Sequence, residues 1–181
     1  SGHTLGLSHQ SKYDSACNYL ETYNTGNGSG ETGWAPIMGN SYSRNMTGWN
    51  DGPTPYGCAN TQDNLSIITS TNGFGYRTDD YADSLNATAY EASNASFSIN
   101  GIISTGIDKD VFKFNFTQNT NIHIDATPFN QGAGNSGSNL DIKIILYDQS
   151  KLLIKTYDAT NALGITIDTA LKTGTYYFVL D

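Results

Sequence analysis

Lys and Arg together number only nine against seventeen Asp and Glu, charged residues make up 14% of the 181, and the formal net charge is −8. Nucleic acids and anionic membranes are held by grouped Lys and Arg, so this chain, with no basic run, is not built to bind either. No apolar run approaches the roughly 20 residues of a membrane-spanning helix. There are two cysteines, Cys17 and Cys58, too few for a disulfide-dense scaffold. They fit a single disulfide, two buried thiols, or bonds to partners outside this sequence. Histidine is also scarce: three in all, two of them in the first ten residues, SGHTLGLSHQ.

In place of Lys and Glu the chain carries Asn, Gly, Ser, Thr and Tyr. N-x-S/T triplets stand at Asn27, Asn45, Asn64, Asn86, Asn94 and Asn115. That composition predicts a secreted, extracellular glycoprotein. At 37% hydrophobic and 12% aromatic residues, the chain can bury a core.

Its character changes along its length. Up to about residue 77 it is loop-rich, holding both Trp and most of the Gly, with one short helical segment expected over Thr61 to Thr69. The acidic, polar stretch RTDDYADSLNATAYE (77 to 91) then reads as the region of a boundary, with a linker over 78–83. Beyond it come ASFSINGIIST (95 to 105), DVFKFNFT (110 to 117), TNIHIDATPF (120 to 129), LDIKIILYDQ (140 to 149), LLIKTYDA (152 to 159), GITIDTAL (164 to 171) and GTYYFVLD (174 to 181). Seven strands at about ten-residue spacing predict an antiparallel β-sandwich over 84–181. Phe112, Phe114, Phe116, Ile122, Ile124, Ile142, Ile144 and Leu146 are expected inward, with Tyr177 and Val179 joining them. Lys113, Asn115 and His123 are expected to face solvent.

The histidines at the start have a chemistry that suits their spacing. In H-E-x-x-H-x-x-G-x-x-H, two His ligands one helical turn apart hold zinc, the Glu is general base for a zinc-bound water, and the glycine ends the helix so that a third His reaches the metal. The stretch His3-Thr4-Leu5-Gly6-Leu7-Ser8-His9 follows the second half of that pattern. GHTLGLSH resembles the metzincin zinc metallopeptidases, and WAPIMGNSY (34 to 42), 29 residues on from His9 to Met38, resembles their Met-turn. NMTGWNDGPTPYGCANTQDNLSIIT (45 to 69) resembles the closing segment of reprolysin-like secreted enzymes. The resemblance implies that 1–77 is the C-terminal part of a zinc metallopeptidase catalytic domain, an α+β subdomain of loops and short helices. His3 and His9 become zinc ligands, Gly6 the helix-ending turn and Met38 the floor of the site. The first zinc His and the general-base Glu are expected just upstream of Ser1, so this stretch alone is expected to be inactive. Tyr42 stands four residues after Met38, where some metzincins place a zinc-reaching Tyr at two, so it is expected to pack.

Gly101 through Phe114, with IDATPF, NLDIKIILYD and GTYYFVLD, is similar to the pre-peptidase C-terminal domains appended to secreted proteases, and the resemblance implies further strands beyond Asp181. Asp108 and Asp110 ahead of the second strand are candidates for calcium ligation or for capping a turn. The sequence thus reads as a secreted zinc endopeptidase that hydrolyses protein or peptide substrates, with an all-β accessory domain that binds glycan or matrix. The competing reading is a non-catalytic secreted β-sandwich with a structural, adhesive or matrix-binding role.

Overall fold

The computed structural model describes residues 2–92, 96–130, 132 and 137–181. The chain forms two compact units, one of 1–75 with 128–140, the other of 76–127 with 141–181.

The first unit begins with a 3₁₀ turn over Gly2–Leu5. Six short strands follow: β1 (Lys12–Tyr13), β2 (Tyr19–Glu21), β3 (Trp34–Pro36), β4 (Met46–Gly48), β5 (Asp51–Thr54) and β6 (Gly57–Asp63). They pair two by two, β1 with β2 and β5 with β6 antiparallel, β3 with β4 parallel. The helix expected over 61–69 starts later. Thr61 to Asp63 belong to β6, Asp63 caps a helical turn at Asn64–Ser66 by accepting from the Ser66 N–H (2.9 Å), and a wider turn continues over Ile67–Thr71. The cap decides the start, because the Asp63 carboxylate satisfies an amide that has no helical partner.

The apolar core of this unit is small. Leu7, Ala35 and Met38 are buried, and beside them the fully buried Gln10 and Ser11 form a polar spine. The Gln10 N–H donates to the Met38 carbonyl (2.8 Å) and the Ser11 N–H to that of Pro53 (2.9 Å). The Gln10 side chain donates to the carbonyls of Asn50 (2.9 Å) and Gln62 (3.2 Å). Cys17 and Cys58 are joined as a disulfide, Cα atoms 5.6 Å apart. Asn64, which opens one of the N-x-S/T triplets, is wholly buried. Asn94 lies outside the described residues.

The second unit holds β7 (Tyr90–Ala92), β8 (Asp110–Phe116), β9 (Thr120–Ala126), β10 (Lys143–Asp148), β11 (Leu153–Asp158), β12 (Ile165–Leu171) and β13 (Gly174–Leu180). Five strands form a sheet in the order β11-β10-β13-β8-β7, and β9 pairs with β12 in a second sheet. This is a mostly β fold with few helical residues. All pairs in the unit are antiparallel among the described residues except β7 with β8, which is parallel.

Two expectations are corrected here. Residues 96–105 form no strand, because their amides are engaged elsewhere: the Ile102 N–H donates to Asp80 (3.3 Å) and the Ser104 N–H to Asp108. The register of β13 is also shifted by one. Phe178 lies opposite Phe112, Tyr176 opposite Phe114, and Tyr177 opposite Lys113. The phenylalanine face of β8 is therefore continued by Tyr176, Phe178 and Leu180. Val179 is buried beside Val111 on the reverse face, and Tyr177 is only half-buried there. Both faces of the central strands are partly covered, so alternation alone does not choose the inner one. Phe114 is buried at the centre of an aromatic cluster with Phe97, Phe116 and Phe178, ring centroids 4.9, 6.2 and 5.2 Å away. Ile142, Ile144 and Leu146 are buried, while Phe112, Phe116, Ile122 and Ile124 are half-buried.

Candidate metal sites

Among the described residues, a histidine pair in the first unit and an acidic cluster in the second place metal-ligating groups together. In the first, the 3₁₀ turn carries His3, and Gly6 ends it with φ +82°. That conformation costs an L-residue with a Cβ about 1–2 kcal/mol. The reversal is closed by the Gly6 N–H donating to the His3 carbonyl (3.1 Å) and the Leu7 N–H to that of Gly2 (3.2 Å). Leu7 is thereby buried, and the chain turns back so that His9 reaches His3. Their Nε2 atoms stand 3.0 Å apart, with ring planes at 88°.

The protonation pattern follows from a neighbour. His3 Nδ1 lies 2.7 Å from the Leu7 carbonyl oxygen. A carbonyl only accepts, so in the neutral ring Nδ1 carries the proton and Nε2 keeps its lone pair. A carbonyl on the far nitrogen is the usual support of a metal-ligating histidine. Two nitrogens sharing one tetrahedral zinc at about 2.0–2.1 Å each would sit about 3.3 Å apart, close to the separation seen. The pair therefore fits zinc in donor type, tautomer and spacing.

Met38 is buried directly against this turn. A Cβ on Gly2 would overlap its Sδ, so the residue next to His3 packs on the thioether with no room for a side chain. Tyr42 does not take the packing role expected of it. It is fully exposed, in a turn closed by the Arg44 N–H donating to the Ser41 carbonyl (3.0 Å). Tyr23, which sequence reading passed over, lies edge-on to His9 with ring centroids 4.7 Å apart.

The second cluster is acidic. Asp108 and Asp110 are buried, and each leaves its Oδ1 without a hydrogen-bond partner. Ligand atoms of Asp79, Asp80 and Asp110 lie within 4.8 Å of one another, as do those of Asp79, Asp83 and Asp108. The exposed aspartates come from the stretch read as a boundary, which is counted with the second unit and held there by Tyr81. Its ring packs on Phe112 (4.9 Å) and Tyr90 (5.6 Å), and its hydroxyl donates to the Asn100 carbonyl (3.0 Å). Composition could not reveal Asp79, Asp80 and Asp83 as partners of Asp108 and Asp110, because 24 residues lie between Asp83 and Asp108.

Burial, then repulsion from Asp80, Asp108, Asp79 and Asp83, pushes the Asp110 carboxyl up to about 7. Burial also raises Asp108, but hydrogen bonds from the Ser104 amide and hydroxyl and from the Lys109 amide outweigh it and hold that carboxyl below its ordinary value. Two buried carboxylates with orphaned oxygens, ringed by three more, form a hard oxygen donor set suited to calcium.

His123 is exposed on β9, as its place in the strand predicts, and is engaged by two carboxylates. Nδ1 is 2.7 Å from Asp168 of β12 and Nε2 is 3.1 Å from Asp125, which also accepts from the Thr166 hydroxyl (2.7 Å). Hydrogen bonding to Asp168 and then Asp125 raises the imidazole pKa above its ordinary value.

No family model matches the chain, and no curated protein matches it. Among solved structures, it is similar to the 1.0 Å crystal structure of the pre-peptidase C-terminal domain of a collagenase from Bacillus anthracis. Identity is 21% and the TM-score 0.41, over 54% of this chain and 85% of that one.

Proposed function

We propose that this chain belongs to a secreted zinc-dependent endopeptidase, with His3 and His9 as two of the zinc ligands and a cation-binding β domain following them. The observation that carries the reading is the meeting of the two Nε2 atoms at 3.0 Å across the Gly6 reversal, with Met38 packed beneath. Zinc bound there would polarise a scissile peptide carbonyl and acidify a water for attack on it. The chain's own residues prepare that chemistry. The Leu7 carbonyl fixes the tautomer and tilt of His3, Gly6 brings His9 to the same point, and buried Met38 closes the floor against solvent. A further His ligand and a Glu base are what the metzincin resemblance adds to this pair. The Cys17–Cys58 disulfide favours an oxidising, extracytoplasmic location, and no helix among the described residues is long and apolar enough to cross a membrane. In the second unit, calcium held by Asp79, Asp80, Asp83, Asp108 and Asp110 is the cofactor that the buried, unpartnered carboxylate oxygens favour.

The test uses the natural full-length protein with His3→Ala and His9→Ala. Zinc content by elemental analysis and hydrolysis of a quenched peptide library are the measurements. Each variant is expected to lose stoichiometric zinc and at least 100-fold in kcat/KM. A wild-type protein that carries no zinc and cleaves nothing would instead favour the non-catalytic β-sandwich reading.

A further inference from the structure

We infer that Tyr23 is a positioning residue for the zinc site, orienting the His9 imidazole through ring packing; the inference rests on the zinc reading of His3 and His9. The two histidines are supported differently. His3 has the Leu7 carbonyl on Nδ1 at 2.7 Å. Among the described residues no hydrogen bond reaches Nδ1 of His9, so its ring lacks the polar partner that orients most metal-ligating histidines. What His9 has is Tyr23, at 4.7 Å between centroids and 88° between planes, the edge-to-face geometry that aromatic quadrupoles favour.

Tyr23 is held in place by the bonds that assemble the site. On one side of it the Thr22 carbonyl accepts from the buried Ser11 hydroxyl (2.8 Å). On the other, the Asn24 N–H donates to the Gln10 carbonyl and the Asn24 carbonyl accepts from the Asn40 N–H, both at 2.8 Å. Gln10 follows His9 directly, its N–H donates to the Met38 carbonyl, and Asn40 lies two residues past Met38. One ladder thus joins the His9 segment, the Tyr23 segment and the Met38 turn, and fixes the tyrosine backbone relative to both. The ring itself stays 45% exposed, so it is not there to fill a core. Its packing partner is the imidazole at the rim of the site.

A ring that only needs to restrain an imidazole can be replaced by another ring. In the full-length protein, zinc affinity is measured by competition with a chromophoric chelator, and site geometry by the visible absorption of the cobalt(II)-substituted form. Tyr23→Phe is expected to keep wild-type affinity within about twofold and an unchanged cobalt spectrum. Tyr23→Ala and Tyr23→Leu are expected to weaken zinc by about 10- to 100-fold, the range for loss of a ligand's supporting group, and to change the cobalt bands. Thermal unfolding of the zinc-free forms checks that the variants fold, and if Ala and Leu both fail to fold the Phe variant decides alone. Tenfold weaker zinc in Tyr23→Phe would overturn the ring-packing role in favour of the hydroxyl. Wild-type affinity and spectrum in the Ala or Leu variant would overturn the inference while leaving the zinc site standing. A wild-type protein that binds no zinc would overturn the site and the inference together.

Discussion

At the scale of single residues, Asp110 is under the clearest conflict. It is buried, faces four other carboxylates, and titrates at about 7, against roughly 3.9 in an unfolded chain. Between those values the folded protein holds a proton that the unfolded chain has released, so without a cation this residue's contribution is full below about pH 4 and is lost as pH rises through 7. Asp110→Asn removes both the charge and the repulsion. In excess chelator at pH 7.5 the variant is expected to unfold at a higher temperature than wild type. In calcium at 100 times its dissociation constant the order should reverse, because wild type gains about 2.7 kcal/mol and the variant loses most of that gain. Scanning calorimetry of both proteins with and without calcium measures this, and an identical calcium response in the two would remove the proposed site.

At the scale of elements, the β9–β12 pair shows a polar face doing what its apolar face does for the core. Ile165, Ile167 and Leu171 are buried on one side, while His123, Asp125, Thr166 and Asp168 interlock on the other. Asp168 lies directly opposite His123 in the register, a cross-strand pair of opposite charge when the imidazole is protonated. Since the pair raises the histidine pKa, its stabilisation is present below the unfolded value of about 6.5 and fades as pH rises through the higher folded value. The His123 ring protons, followed by NMR from pH 5 to 9, are expected to titrate above the ordinary value in wild type and to fall back toward it in Asp168→Asn. An unchanged midpoint in the variant would show that the contact does not form in solution. Alternation in β9 made its two faces legible in advance. The one-residue shift in β13 was not, since the run Tyr176, Tyr177, Phe178, Val179 offers an apolar residue to either face.

At the scale of the whole molecule, the two units are stabilised by different means. The first buries few apolar side chains among its described residues, chiefly Leu7, Ala35, Pro36 and Met38, and has a disulfide closing 41 residues of sequence separation. A loop of that length constrains the unfolded chain by about 4 kcal/mol in the chain-entropy account. Reduction, or a Cys17→Ser and Cys58→Ser double variant, is expected to unfold the first unit at a lower denaturant concentration. Fluorescence is a suitable reporter, because both tryptophans, Trp34 and Trp49, lie there. A tryptophan transition unmoved by reduction would mean that the bond adds nothing to the fold. The second unit has no cysteine and relies on Val111, Phe114, Ile144, Leu146, Ile167 and Phe178.

The sequence by itself determined what depends on near neighbours. Spacing around Gly6 specified a reversal between His3 and His9, and period-two runs specified β8 to β13, because backbone conformation and side-chain direction are set over a few residues. Tertiary structure alone decided what depends on distant segments meeting. It turned residues 96–105 from a strand into a loop whose amides serve Asp80 and Asp108, drew Asp79, Asp80 and Asp83 onto Asp108 and Asp110, and set Tyr23 against His9. Such meetings are paid for in loop-closure entropy and selected by the packing of the whole unit, which leaves no local period in the chain to read.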